Sequence, residues 1–217
     1  MTRLTIIAAA SLLLAGCASF SPDGGFGKVL QLTQERTGQG VALQRSQEDA
    51  QTAQNRVAEL LQAALTADAA VEVALLNNRG LQAKFGDLGI AESELVRAGR
   101  LKNPSLSFGR MSGGGGVEIE RTVLFDILGL LTMPMAKEVG QQRFEQAQYQ
   151  AAYDAVSLAA DVRRAYFDAV AAQELAKFYE QVKETADVSN ELAKRMLQAG
   201  NFNKLAQMPE QAFYADA

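Results

Sequence analysis

The residues that most often carry out enzyme chemistry are scarce in this sequence. It contains no histidine, so the commonest general base and the commonest metal ligand are both missing. The single cysteine, Cys17, excludes an intrachain disulfide framework and any multi-cysteine zinc site. Asp161 and Asp168 are seven positions apart on one predicted helix face, but solvated or pore-lining carboxylates explain that spacing. We therefore predict that the protein is not an enzyme and has no metal or cofactor.

The charge balance argues against a nucleic-acid partner. The 217 residues include 21 basic and 25 acidic side chains, which gives a formal net charge of −4. A nucleic-acid-binding surface is typically strongly basic, so we expect no nucleic-acid partner.

The N-terminal segment is typical of an export signal. Arg3 precedes an apolar stretch over 4–15, and small residues follow it. The stretch is shorter than the ~20 residues that a membrane-spanning helix needs. We predict a signal peptide over residues 1–16; the alternative is an N-terminal membrane anchor that stays attached.

The end of this signal contains the one residue that we expect to be chemically modified. Leu-Ala-Gly-Cys at 14–17 resembles the lipobox of bacterial lipoproteins, in which the cysteine becomes the acylated N-terminus. The resemblance implies that Cys17 carries a covalent lipid, such as palmitate. Because Ala18 rather than Asp follows, it also implies delivery to the outer membrane. Several acyl chains on one residue give a stable anchor, since each buried methylene contributes about 0.8 kcal/mol.

Two segments follow the signal peptide: a tether that carries the lipid anchor, and a helical segment. We predict a tether over 17–43, flexible over 19–27 because of its Pro, Gly and Ser content. The segment 44–102 has helical periodicity, with one helix over 44–65 and another over 69–98 that begins at an N-cap near Thr66 and stops at Gly99. Three glycines inside the second helix are expected where helices approach closely: Gly80, Gly86 and Gly89.

A β-hairpin is predicted over 103–127. Polar and apolar residues alternate from Pro104 to Arg110 and again from Val117 to Phe125, on either side of a glycine tract. The strand lengths and the alternation suit a transmembrane β-barrel around a water-filled lumen. A soluble hairpin with one buried face is the alternative, and Arg121 on the apolar face favours it. A lone hairpin is marginally stable, so these strands need partners.

The segment 128–217 is dominated by a very long helix. Residues 136–199 contain no proline and a single glycine, Gly140, and a continuous helix of that length would extend on the order of 95 Å. Its apolar residues form a seam at steps of three to five, which indicates a coiled coil or a helical barrel. Gly200 and the flanking asparagines predict a turn, after which a returning helix starts at Lys204.

Three stretches in this order resemble the first structural repeat of the outer-membrane efflux (TolC-like) family. They are Ala-Gly-Arg-Leu-Lys-Asn-Pro-Ser-Leu-Ser-Phe at 98–108, Asp-Val-Arg-Arg-Ala-Tyr-Phe-Asp at 161–168 and Arg-Met-Leu-Gln-Ala-Gly at 195–200. The resemblance covers about residues 55–217. It implies a fold that is mainly α, with long α-barrel helices and a two-stranded hairpin contributing to a transmembrane β-barrel.

The same resemblance implies a function and its partners. Proteins of this family are passive exit ducts for small molecules or ions in tripartite efflux systems, and they work with a periplasmic adaptor and an inner-membrane pump. Three copies close one barrel in the outer membrane, and their helices cross the periplasm. The residues that correspond to the family's adaptor-contact tip are Arg195, Gly200, Asn201, Phe202 and Asn203. Charge–dipole stabilisation of the helix end is an equal explanation for Arg195, and a C-cap suffices for Gly200.

One departure from the family pattern affects the expected assembly. The family carries two such repeats in a chain, whereas this sequence carries one, so we expect it to be a fragment of a longer chain. A half-length protein would need six copies to close a barrel. The competing functions are a periplasmic coiled-coil adaptor, which would need more β-rich segments, and a structural lipoprotein, which would not need the hairpin. The sequence does not name the cargo.

Overall fold

The computed structural model describes residues 19–113 and 116–217, which form six helices and one two-stranded antiparallel sheet. The elements in chain order are α1 Phe26–Thr37, α2 Gln47–Leu60, α3 Ala67–Asn77, α4 Arg79–Ala98, β1 Ser105–Gly113, β2 Gly116–Leu124, α5 Ile127–Gln198 and α6 Lys204–Asp216. A mainly helical fold with one hairpin is thereby confirmed. The predicted signal peptide and Cys17 lie outside the described residues.

The chain divides into two compact units, and the boundary between them in the sequence falls within α5. The first unit ends at Ala160 and the second starts at Asp161. The helix α5 contains 72 residues, so it supplies its first part to one unit and its last part to the other.

The core of the first unit is formed mainly by α1, α3, α4 and the part of α5 before residue 161. The rings of Phe26 in α1 and Phe85 in α4 meet edge to face, with 5.0 Å between their centroids. Val29, Leu75 and Leu88 are each at most 2% exposed. Residues 26–37, which belong to the tether predicted over 17–43, form a helix whose apolar side joins the core.

Side-chain caps set the helix boundaries in the first unit. Ser46 and Asp49 form a reciprocal capping box that starts α2. Thr66 caps α3 as predicted, by accepting a hydrogen bond from the Ala69 N–H at 3.1 Å. The single helix expected over 69–98 is instead broken at Asn78. That residue leaves the helical conformation and caps α4 by accepting from the Leu81 N–H at 2.9 Å.

The glycines at which helices approach each other are not those expected from the sequence. A Cβ atom placed on Gly86 or Gly89 would have no neighbour within 4 Å, so the expected close approach at these two positions is wrong. The close approach lies at Gly140 of α5, where an added Cβ would lie 3.3 Å from the Cα of Leu95 in α4. This contact brings α4 and α5 together within the first unit.

The long helix begins earlier than its sequence indicates. The proline-free stretch that predicts this helix covers residues 136–199, but α5 starts at Ile127 and continues through Pro134. The carboxylate of Asp126 caps this start, since it accepts a hydrogen bond from the Gly129 N–H at 2.8 Å. The run of leucines and methionine that follows has high helix propensity, which favours helix over an open turn.

The second unit contains the end of α5 and the returning helix α6. Ala186, Asn190 and Ala193 are buried on one side of α5, and Gln207 is buried on α6. The hydroxyl of Ser189 donates to the carboxylate of Glu210, which ties the two helices together. The returning helix after Lys204 is confirmed.

Candidate functional site

The hairpin places one apolar and one polar face back to back. β1 pairs with β2 in an antiparallel register that sets Leu106 opposite Val123 and Ser107 opposite Thr122. Because side chains alternate along a strand, successive pairs point to opposite faces. One face carries Leu106, Phe108, Arg110, Ser112, Val117, Ile119, Arg121 and Val123, and the other carries Ser105, Ser107, Gly109, Met111, Glu118, Glu120, Thr122 and Leu124.

None of the described residues covers the apolar face of the hairpin. Leu106, Phe108 and Val123 expose 61%, 69% and 68% of their surface, although they are among the residues most often buried. A contiguous apolar surface of this kind marks a site of contact with another protein or a membrane. Two arginines interrupt it, because Arg110 lies on the same face as Arg121, opposite Ile119.

Asp126 forms a hydrogen bond and an ion pair at the junction between the hairpin and α5. Asp126 accepts the Gly129 N–H bond, and the ammonium group of Lys102 lies 3.0 Å from its carboxylate. The hydrogen bond from Gly129 and then the interaction with Lys102 hold the pKa of Asp126 below its usual value. The ion pair therefore links the segment just before β1 to the start of α5.

The segment that follows the predicted lipid site is attached to the first unit. Glu92 of α4 is 5% exposed, and it accepts a hydrogen bond from the Ser21 N–H at 2.6 Å and another from the Ser21 hydroxyl. The side-chain amide of Gln148 in α5 donates to the Gly25 carbonyl at 2.8 Å. These contacts attach Ser21 and Gly25 to α4 and α5 of the first unit.

Sequence reasoning did not identify Glu92, although a signal for it exists. The buried positions of α4 include Leu81, Phe85, Leu88 and Val96 at helical spacing, and Glu92 occupies the same stripe. A carboxylate on an apolar helix face requires a buried hydrogen-bond donor. The Ser21 contact satisfies that requirement, but its 71-residue separation from Glu92 hides it in the sequence.

The turn after α5 has the conformation expected of a helix end. Gly200 has φ +70°, in the left-handed region that favours glycine. Its N–H donates to the Leu197 carbonyl at 3.1 Å, and the Asn201 N–H donates to the Met196 carbonyl at 3.0 Å. Asn203 then caps α6 by accepting from the Ala206 N–H at 2.8 Å. These bonds satisfy two of the last carbonyls of α5 and one of the first N–H groups of α6.

The predicted tip residues are neighbours around this turn. Asn201 and Asn203 are exposed, Phe202 is partly exposed, and an added Cβ on Gly200 would have no neighbour within 4 Å. Arg195 is exposed one turn before the end of α5 and forms an ion pair with Glu191 at 2.8 Å. Arg195 thus has a partner within its own helix. A contact between Arg195 and an adaptor protein stays a prediction.

The apolar seam of α5 is covered over only part of its length. Ala152, Ala155 and Ala159 are buried in the first unit. In the second unit, Leu175 and Phe178 continue the seam but expose 52% and 56% of their surface. This stretch of helix is an unpartnered surface within the described residues.

Within residues 19–113 and 116–217, no helix combines the length and the apolar character that crossing a membrane requires. The same residues contain no cluster of three or more carboxylate, imidazole or thiol groups suited to a metal ion.

In comparisons with known proteins, the chain matched no protein-family model, no curated protein and no solved structure. The resemblance to the efflux family therefore depends on the sequence motifs alone.

Proposed function

We propose that this protein is the outer-membrane channel component of a tripartite efflux system, anchored by a lipid on Cys17. It would be a passive exit duct for small molecules or ions across the periplasm and the outer membrane. The observation that carries the proposal is the hairpin, which exposes an apolar face and a polar face and leads directly into the 72-residue helix α5.

Closure of several hairpins into a barrel would explain both faces at once. The two strands have nine residues each, within the ~9–11 residues of a strand that crosses a bilayer at a tilt. In such a barrel, Leu106, Phe108 and Val123 would face lipid, and Glu118 and Glu120 would face the lumen. The further strands would come from other copies of the chain. Three copies in total would close the barrel if the chain is part of a longer one, and six if it is not.

The helices α5 and α6 are the evidence for the periplasmic part of the proposed duct. The uncovered seam of α5 beyond Asp161 would pack against helices of other copies to form a periplasmic tunnel. The turn at Gly200 and the exposed side chains of Arg195, Asn201 and Asn203 would then meet a periplasmic adaptor, because a passive duct needs an energised partner.

The two arginines on the apolar face favour a second candidate, a periplasmic adaptor or structural lipoprotein. An arginine on the lipid face of a barrel costs about 2–4 kcal/mol at the bilayer midplane, and less near the interfaces. Arg110 and Arg121 would have to reach polar groups to avoid this cost. A hairpin in the aqueous periplasm would carry no such cost.

Cysteine labelling separates the two candidates. Ser112 is exposed near the far end of β1, and Gln141 is exposed on α5. We expect Ser112→Cys, with Cys17 left intact, to react with a membrane-impermeant maleimide on whole cells. The matched variant Gln141→Cys should react only after the outer membrane is disrupted. If both variants react only after disruption, the hairpin is periplasmic and the duct is excluded.

A further inference from the structure

A groove in the first unit lies between the end of α4 and the start of α5. Its volume is about 470 Å³, and its walls include Arg97 and Glu94 of α4 together with Met135, Val139 and Arg143 of α5. The close approach of Leu95 to Gly140 holds the two helices together along it. Both arginines are exposed, so their guanidinium groups are accessible from solvent.

The described residues leave the positive charge of the two arginines in this groove unneutralised. Within the part of the chain that the structure describes, neither Arg97 nor Arg143 forms an ion pair or a hydrogen bond through its side chain. Other arginines do: Arg56 pairs with Glu59 and Glu72, and Arg164 pairs with Asp161. Glu94 is the one acidic group in the lining, so the groove retains a net positive charge. Two unpaired guanidinium groups favour a phosphate, which accepts several hydrogen bonds from each.

An apolar row leads from this charge toward the hairpin. Four exposed residues follow one another at steps of four along α5, and Arg143 continues the series: Ile127, Leu131, Met135, Val139 and Arg143. At 1.5 Å per residue, the four apolar side chains extend over roughly 18 Å, about the length of an extended acyl chain of a lipid. A free phosphate or an acidic peptide would leave this row exposed to water.

We propose that the groove binds a glycerophospholipid of the surrounding bilayer leaflet. The phosphate lies between Arg97 and Arg143, and one acyl chain lies along the row from Val139 to Ile127. The physiological source of the lipid rests on the proposed outer-membrane location, because the hairpin then enters the bilayer directly beyond Ile127. The site would fix the depth of the first unit relative to the membrane, in addition to the lipid on Cys17.

Lipid binding to the acylated, detergent-solubilised chain tests the proposal by native mass spectrometry. The probes are dipalmitoyl phosphatidylglycerol, the corresponding diacylglycerol without phosphate, and glycerol 3-phosphate. We expect phosphatidylglycerol to bind more tightly than the other two. The double variant Arg97→Gln with Arg143→Gln should lose about 25-fold in affinity for phosphatidylglycerol, or about fivefold for each arginine. Its affinity for diacylglycerol should not change.

A charge-matched control uses two exposed arginines of the same unit that lie outside the groove, Arg36→Gln with Arg79→Gln. This variant should bind phosphatidylglycerol like the unmodified protein. Leu131→Ser with Met135→Ser should weaken both lipids equally. Equal losses in the groove and control variants would overturn the site, and equally tight binding of glycerol 3-phosphate would overturn its assignment to a lipid.

The proposed function and this inference fail in different ways. Membrane fractionation of cells that produce the unmodified protein or these variants measures the location of the protein independently of lipid binding in the groove. If the protein is found in the outer membrane but its lipid binding is independent of Arg97 and Arg143, the inference is wrong and the proposed function stands. If arginine-dependent binding is observed but the protein is absent from the outer membrane, the site stands and the proposed function is wrong.

Discussion

The packed helices of the first unit and the hairpin use the same kinds of residues with opposite results. In α3 and α4, Leu75, Phe85 and Leu88 are at most 2% exposed. In the hairpin, Phe108 is 69% exposed, although it too belongs to a regular apolar face. Other residues of the same chain cover the helices, whereas nothing in residues 19–113 and 116–217 covers the apolar face of the hairpin. An apolar face in the sequence thus indicates that another surface should pack against it. The tertiary structure shows whether that surface is supplied by the same chain.

The largest expected effect compares two phenylalanines, one from each region. Phe85→Ala should lower the free energy of unfolding by about 3–5 kcal/mol, because it opens a cavity beneath Phe26. Phe108→Ala should change it by less than about 0.5 kcal/mol, as expected for an exposed position. Urea unfolding followed by circular dichroism measures both. A similar loss for Phe108→Ala would show that the hairpin is buried in an assembly under those conditions.

A smaller effect compares a buried and an exposed glutamate. Glu92→Ala should cost about 1–3 kcal/mol, because it leaves the N–H of Ser21 without its acceptor. Glu118→Ala on the exposed polar face should stay within about 0.5 kcal/mol. Hydrogen exchange of the Ser21 amide should become faster in Glu92→Ala and be largely restored in Glu92→Gln, which keeps a carbonyl acceptor. Unchanged exchange in Glu92→Ala would contradict the attachment of residues 19–25 to α4.

The smallest effect compares two glycines with equally open surroundings. Gly86→Ala should stabilise α4 by about 0.5–1 kcal/mol, since alanine has the higher helix propensity and the added methyl group meets no atom. Gly200→Ala should destabilise the turn by about 1 kcal/mol, because its φ of +70° is unfavourable for a side chain. Amide exchange in α4 and α6 measures the two changes separately. Changes of the same sign would show that backbone conformation does not control these positions.

Local features of the fold were predictable because they depend on residues close in sequence. The hairpin was predictable from the alternation of polar and apolar residues on both sides of a glycine tract. The cap at Thr66 was predictable because its hydroxyl lies three residues before the N–H group that it accepts from. The turn at Gly200 follows from glycine in a position that needs positive φ. The break at Asn78 could not be predicted because apolar periodicity continues across it. The start of α5 at Ile127 could not be predicted because the helix continues through Pro134, a residue that usually interrupts helices.

The amino-acid sequence by itself determined the hairpin, the apolar face of that hairpin and most of the helices, but not the helix Phe26–Thr37. Only the tertiary structure decided which of those faces are covered, because burial requires contacts between residues far apart in the chain. The bond from Ser21 to Glu92 joins positions 71 residues apart and turns a predicted tether into a packed segment. The groove likewise needs Arg97 and Arg143 to be brought together by the approach of α4 to Gly140. Neither arginine is distinguished in the sequence, since a charge acquires a specific role only from the groups that packing sets around it.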